Sequence, residues 1–268
     1  MKYCHIFVEG QQDVLFLGRI LQEMGQTDVT DVEAIPERWS PFVNSERLRE
    51  HRGKVDSGRS GLRIHEMFPG VCFLSETHSI IIRKVGGNLK NFRRTMDGVD
   101  ALLDGGLAGL DAIGVVPDAD DRAANILQSS KTTLENFRFN VAADNGEIHT
   151  GTPNTGIFVL PGATDNGGLE ELLIDCAEAV YPDLLTGARE FVDAVDRESD
   201  AFTPKDMKEL GTPQGAVKAV VGCVSSILKP GSTIQVSILK DRWVSEQSLA
   251  SPRVGALRTF LKDLCELP

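Results

Sequence analysis

The chain has 268 residues, a formal net charge of −11 and a charged fraction of 25%. This length suits one large α/β domain or a core domain with an appended region. The acidic balance argues against tight binding of nucleic acid through bulk charge alone.

The chain carries no signal for a membrane, a disulfide framework or a zinc site. No apolar run approaches the roughly 18–20 residues that span a bilayer, and the first residues lack the pattern of a signal peptide. The five cysteines form no CxxC pair, and the histidines show no spacing typical of metal ligands. These features predict a cytoplasmic protein.

Strands and helices alternate along the first two thirds of the chain. Apolar runs predict strands at 3–8, 78–85, 112–116 and 157–160, and a helix follows each of them. The irregular segment 35–77 is interpreted as an insertion with a short helix near 45–51, and the polar segment 137–156 as a hairpin. Beyond residue 182 the pattern is mainly helical, although alternation at 234–239 predicts a strand.

This order of elements predicts an α/β fold. Strands that alternate with helices form parallel sheets with right-handed crossovers. We therefore expect a Rossmann-like, mostly parallel four-stranded sheet flanked by helices over residues 1–181. A mainly helical extension over 182–268 is expected to pack on this core, where it could also provide a surface for a protein partner or a homodimer.

Acidic residues follow three of the predicted strands. Glu9 follows the first, Asp118 and Asp120 follow the third, and Glu170 and Glu171 open the helix after the fourth. Open α/β sheets build their sites beyond the carboxyl ends of their strands, so these side chains are expected to converge. Clustered carboxylates repel one another unless some are protonated or a cation neutralises them. Oxygen ligands alone indicate Mg²⁺ or Mn²⁺.

Each acid also has a plainer interpretation. Asp13 stands where a helix N-cap is expected, and Glu170 or Glu171 would be favoured at the positive end of a helix dipole. The acids after Pro117 are also common in turns. The combination of acids, rather than any one of them, therefore carries the prediction of a metal site.

Basic residues concentrate in one part of the chain. The window 46–94 holds eleven Lys and Arg against five Asp and Glu. This excess indicates either a solvated surface or a local patch that binds phosphate beside the acidic site. The two basic groups are Arg47, Arg49, Arg52, Lys54, Arg59 and Arg63, and then Arg83, Lys84, Lys90, Arg93 and Arg94.

Two short motifs resemble those of the Toprim superfamily. The segment VEGQQDVLFL at 8–17 resembles its first motif, a Glu-Gly at a strand end with an acid four residues after the Glu. Asp118-Ala119-Asp120 resembles its DxD motif. The segment 160–173, with its GLEELL helix start, is similar to a family of small stand-alone Toprim-like proteins related to nucleases of the overcoming-lysogenization-defect type. The resemblance covers about residues 1–175.

The resemblance implies metal-dependent cleavage of phosphodiester bonds in nucleic acid. It implies that Glu9, Asp118 and Asp120 are catalytic and bind a first Mg²⁺ or Mn²⁺. A second metal ion would then be bound by Asp13 and by Glu170 or Glu171. Two metal ions roughly 4 Å apart activate water and stabilise the leaving oxygen. Arg83, Lys84, Lys90, Arg93 and Arg94 would bind the nucleic-acid backbone, and Glu9 could also act as a general acid or base.

Other activities remain open at this point. Topoisomerases are set aside because they need a nucleophilic tyrosine on another domain, and primases because they need zinc-binding and polymerising modules that this sequence lacks.

A non-catalytic binding module of Toprim fold is the main alternative, and in it the acids would not gather within metal-sharing distance. A nucleotide-sugar enzyme would explain the DxD but not Glu9-Gly10 or Asp13. A haloacid-dehalogenase phosphatase fits less well, and the sequence does not distinguish DNA from RNA.

Overall fold

Four parallel strands form the centre of the sheet. They are β1 (Lys2–Val8), β4 (His78–Lys84), β5 (Ala112–Val116) and β7 (Asn154–Ile157), which lie side by side in the order β4-β1-β5-β7. Nearly all of their residues are buried. Apolar runs such as AIGVV form such strands because helices cover both faces of a parallel sheet.

The structure is a computed structural model that describes residues 1–29, 34–42, 70–86, 89–162, 165–195 and 202–268. The predicted helix near 45–51 and the basic group from Arg47 to Arg63 lie outside these residues.

Three short antiparallel strands extend the sheet at its edges. β2 (Thr27–Asp28) and β3 (Gly70–Leu74) lie beyond β4, and β6 (Ile148–His149) pairs with β7. The sheet is therefore mixed and seven-stranded, in the order β2-β3-β4-β1-β5-β7-β6. The α/β class is confirmed, but the predicted four-stranded sheet is wrong. β2 and β6 have two residues each and carry no hydrophobic period, and the five-residue β3 lies in the segment 35–77, interpreted from sequence as an insertion.

Helices cover the two faces of the sheet unequally. α2 (Leu89–Leu102) and α3 (Ala123–Asn136) pack on one face with the buried Trp39, which lies in a 3₁₀ turn at Glu37–Phe42. A second 3₁₀ turn spans Leu107–Gly109. The other face is covered by α1 (Gln11–Glu23), α4 (Leu169–Val180) and the C-terminal helices.

The region after residue 181 is helical and belongs to the same hydrophobic core. Its helix α10 lies on β5 and β7, where a Cβ at Gly114 or Gly156 would approach Leu264 or Phe260 within 2.7 Å. The predicted strand at 234–239 is wrong, because this segment is helix α8. No helix within the described ranges has the length and apolar character required to cross a bilayer. The helices are α5 (Pro182–Asp193), α6 (Pro204–Leu210), α7 (Pro213–Leu228), α8 (Ile234–Lys240), α9 (Glu246–Leu249) and α10 (Pro252–Cys265).

Candidate functional site

The carboxyl ends of β1 and β5 stand side by side. Val8 pairs with Val116 in the parallel register, so Glu9 and Asp118 emerge at the same edge of the sheet. The backbone N–H of Asp118 lies close enough to the Glu9 carboxyl to favour its charged form. The two strands predicted to carry acids are therefore neighbours.

The turn that contains the DxD motif is fixed by the loop before α4. The backbone N–H of Asp120 donates to the Gly167 carbonyl at 2.8 Å, and the Gly167 N–H donates to the Asp120 carbonyl at 2.7 Å. Asp120 has a φ of 50°, a left-handed conformation that costs a non-glycine residue roughly 1–2 kcal/mol. Such backbone strain is common at functional sites.

The Asp118 carboxyl lies directly against the backbone of Gly168. A Cβ at Gly168 would lie 2.8 Å from Asp118 Cγ and 2.9 Å from its Oδ1, which is closer than real Cβ contacts allow. Glycine at this position therefore makes room for the carboxyl. The Oδ1 atom of Asp118 is buried and has no hydrogen-bond partner. A buried, unsatisfied carboxylate oxygen is costly unless a proton or a cation reaches it.

α1 and α4 begin in the same way. Each has a glycine N-cap whose backbone N–H donates to an acid at the third helical position, which is Asp13 in α1 (2.6 Å) and Glu171 in α4 (2.7 Å). Asp13 thus caps its helix from inside the first turn rather than from the N-cap position. Asp13 is also only 4% exposed, and its carboxyl interacts electrostatically with Glu9 and Glu170.

The electrostatics place five acids in one group, here called the carboxylate cluster. Burial and then the charge of Asp120 raise the pKa of Glu9. Burial raises the pKa of Asp13 to about 7, and the charges of Glu9 and Glu170 add to the effect. Burial also holds the pKa of Asp118 well above its usual range, reinforced by the charges of the other four acids. The carboxylate cluster comprises Glu9, Asp13, Asp118, Asp120 and Glu170.

Of the two acids that open α4, Glu170 joins the carboxylate cluster and Glu171 does not. The charge of Glu170 acts on Asp13 and Asp118, whereas the Glu171 carboxylate is engaged with the N-cap of its own helix. Consecutive helical residues point about 100° apart, so only one of the pair can face the strand ends.

Lys218 brings a positive charge to the carboxylate cluster from the C-terminal region. This residue of α7 has its Nζ 4.0 Å from Glu170 Oε1, and its charge lowers the pKa of Glu9. The Lys218 side chain is largely exposed and the pair is at the distance limit of an ion pair, so it contributes little to stability. Nothing in the local sequence around Lys218 indicated this placement, because only the packing of α7 against α4 creates it.

The ligand atoms of the carboxylate cluster are of the type that binds divalent cations, but their arrangement does not form a complete set of metal ligands. Its ligands are all oxygens, and its raised pKa values reflect negative charge that a cation would neutralise. The unsatisfied Asp118 Oδ1 provides a ligand atom. In the part of the chain that the structure describes, however, no three His, Cys, Asp or Glu side chains form a group that could hold a metal ion.

The basic residues predicted to bind nucleic acid fall at the end of β4 and on α2. Lys84, Arg93 and Arg94 are exposed, and Lys90 lies in the first turn of α2. Arg83 differs from them because its side chain is buried. The backbone N–H groups of Val85 and Gly86 donate to the carbonyls of Val8 and Glu9, so this segment adjoins the carboxylate cluster along the sheet edge.

Comparison with known proteins gives a family but no activity. Residues 4–266 match the family described as "Protein of unknown function (DUF3226)", and the chain therefore belongs to that family. The fold is similar to that of a crystal structure described as hypothetical protein PH0156 from Pyrococcus horikoshii OT3. That match has 16% sequence identity and a TM-score of 0.56, and it covers 98% of this chain and 95% of the other. No curated protein matches.

Proposed function

We propose that this protein is a Toprim-like enzyme that uses Mg²⁺ or Mn²⁺ to cleave phosphodiester bonds in nucleic acid. The observation that carries this proposal is the gathering of Glu9, Asp118 and Asp120 with Asp13 and Glu170 at one edge of the sheet. Their order along the chain and their places at the strand ends also match the Toprim resemblance of 8–17 and 118–120.

The acids have distinct roles in this proposal. Glu9, Asp118 and Asp120 hold one divalent cation, and Asp13 with Glu170 holds a second. A bound cation supplies Lewis acidity and lowers the pKa of a water molecule. In the metal-free site burial raises the pKa of Glu9, and the role of general acid or base that the Toprim resemblance also implies would require a Glu9 carboxyl that does not bind the cation.

The basic residues near the carboxylate cluster indicate nucleic acid as the substrate. A nucleic-acid backbone presents repeated phosphates, which Lys and Arg bind electrostatically whatever the base sequence. Lys84 ends β4, the strand next to β1, and Lys90, Arg93 and Arg94 lie on α2, with the buried Arg83 beside them, so a strand of nucleic acid bound there would pass the carboxylate cluster. A local positive patch is needed because the whole chain is acidic.

A non-catalytic binding module is the second candidate. It is favoured by the finding that no three acids among the described residues form a metal-binding group. In this alternative the acids cap α1 and α4 and fix the DxD turn, and the basic residues bind a partner without cleavage. The two candidates differ in whether a divalent cation binds and changes the substrate.

Cleavage of a defined substrate panel tests the proposal. Supercoiled plasmid, single-stranded DNA and structured RNA are incubated with the protein in Mg²⁺, in Mn²⁺ and in EDTA. We expect cleavage of at least one substrate with metal and none in EDTA. The Asp118→Ala/Asp120→Ala double variant is expected to lose at least about 100-fold in rate, since both metal-binding oxygens of the DxD are removed.

Asp121→Ala provides the matched control. Asp121 follows the DxD directly, but it is exposed, and its ion-pair partner among the described residues is the neighbouring Arg122 at 3.1 Å. Its variant should retain the full rate. Metal-independent cleavage, or equal rates in the double variant and the wild type, would refute the assignment of the carboxylate cluster as the active site.

A further inference from the structure

Arg83 is a buried positive charge that no described residue neutralises. Its side chain is 8% exposed, and its buried Nε and Nη2 atoms have no hydrogen-bond partner among the described residues. Arg83 forms no ion pair with any residue that the structure describes. Burial lowers the pKa of Arg83 to about 10, so the guanidinium is still charged at neutral pH.

Contact with Phe42 compensates this charge only in part. The Arg83 guanidinium carbon lies 4.5 Å from the centroid of the Phe42 ring, a cation–π geometry. An aromatic face interacts with one side of the guanidinium plane but accepts no hydrogen bond from its edge. Among the described residues the buried Nε and Nη2 donors therefore still lack acceptors, which a bound anion would supply.

Arg83 lines a cavity that a second arginine also lines. The cavity has a volume of about 470 Å³ and is here called the Arg83 pocket. Arg94 comes from α2 and makes no ion pair with a described residue. The remaining wall combines apolar side chains with the polar Asn91 and Thr95, and a Cβ at Gly98 would meet nothing within 4 Å. The Arg83 pocket is lined by Phe42, Arg83, Val85, Arg94, Gly98 and Leu102, among others.

We propose that the Arg83 pocket binds the terminal phosphate of a phosphate ester, with Arg83 and Arg94 on the phosphate and Phe42 on the organic group. Two guanidinium groups can donate several hydrogen bonds to the three free oxygens of a phosphomonoester. The volume exceeds what a free phosphate needs, and the ring of Phe42 and the side chains of Val85 and Leu102 give the remainder an apolar wall.

The molecule that carries this phosphate ester is inferred from the proposed function, and this part of the inference rests on it. If nucleic acid is the substrate, the terminal phosphate of a strand is the group that the pocket holds, close to the carboxylate cluster on the same sheet edge. A free mononucleotide presents the same phosphomonoester. The binding of phosphate itself depends on neither source, nor on a metal ion.

Calorimetric titration in EDTA tests the pocket without the carboxylate cluster. Wild-type protein is titrated with inorganic phosphate, with a mononucleotide, and with one oligonucleotide carrying either a 5′-phosphate or a 5′-hydroxyl. We expect phosphate to bind and the phosphorylated oligonucleotide or the mononucleotide to bind more tightly. Arg83→Met and Arg94→Gln should each weaken binding by about tenfold or more, because charge-assisted bonds to phosphate are lost.

Two further variants separate loss of the pocket from loss of the fold. Arg258→Gln changes an exposed arginine of α10, a helix on the other face of the sheet that does not line the pocket, and should bind like the wild type. Gly98→Leu fills the open space beside the helix without changing either arginine, and it should block the mononucleotide or the phosphorylated oligonucleotide.

The outcomes distinguish this inference from the proposed function. Tighter binding of the phosphorylated oligonucleotide than of its hydroxyl form assigns the pocket to nucleic-acid ends, and binding of the mononucleotide alone assigns it to free nucleotides. Absence of phosphate binding, or equal binding by wild type, Arg83→Met and Arg94→Gln, would overturn the inference. Neither result depends on cleavage, which the substrate panel measures separately.

Discussion

Replacement of Asp118 by asparagine is expected to raise the midpoint of thermal unfolding of the metal-free protein by roughly 3–6 °C at pH 8. Asp118 is surrounded by four other acids, and its pKa is held well above its usual range by burial and by their charges. The folded state therefore binds this proton more tightly than the unfolded chain does, and stability is lost as pH rises above the ordinary pKa of 3.8. Asparagine has the same shape and does not ionise, so the repulsion disappears.

The same replacement is expected to abolish stabilisation by Mg²⁺. A ligand that binds only the folded state stabilises it in proportion to its affinity, and Asp118 is proposed to supply a metal-binding oxygen. Thermal unfolding of wild type, Asp118→Asn and the exposed control Asp121→Asn is followed in EDTA and in excess Mg²⁺. The control should behave as the wild type. A destabilised Asp118→Asn variant with an intact response to Mg²⁺ would contradict both expectations.

The stability of the metal-free protein is expected to fall as pH rises from about 4 to above 7. The pKa of Asp13 is raised from 3.8 to about 7, mainly by burial. The folded state thus binds this proton more tightly than the unfolded chain does. The resulting stability is fully present below pH 4 and is lost as pH rises through about 7. The shift from 3.8 to about 7 corresponds to a loss on the order of 4 kcal/mol.

Asp13→Asn should remove most of this pH dependence. The amide oxygen of asparagine can still accept the hydrogen bond from the Gly10 N–H, so the helix cap is retained. The free energy of unfolding is measured with urea in EDTA at several pH values between 5 and 8.5. The variant should exceed the wild type most at the highest pH. Parallel pH profiles for the two proteins would show that Asp13 does not hold the proton.

The carboxyl ends of the central strands were the part of the molecule that sequence could predict. Continuous apolar runs in β1, β4 and β5 identify buried parallel strands, and Glu9 and Asp118 are located by where those runs stop. The apolar runs do not predict the order of the strands in the sheet, in which β1 lies next to β5. It is this order that brings the two acids together.

Other features arise only from tertiary packing. The alternation at 234–239 is typical of a strand, yet the segment is helix α8, whose Ile238 is buried in the core. Lys218 reaches Glu170 because α7 packs on α4, and no local pattern marks it. In the sequence Arg83 belongs to a basic group that is typical of a surface, but in the fold it packs next to Phe42 and is buried.

The most direct test of a metal site is a calorimetric titration with Mn²⁺ near pH 7 in two buffers of different ionisation enthalpy. Because the pKa of Asp13 is raised to about 7 and that of Asp118 well above its usual range, we predict that binding releases protons and that the observed heat depends on the buffer. We also predict that Asp118→Ala/Asp120→Ala does not bind. The absence of binding by the wild type, or binding that the double variant retains, would contradict the metal site.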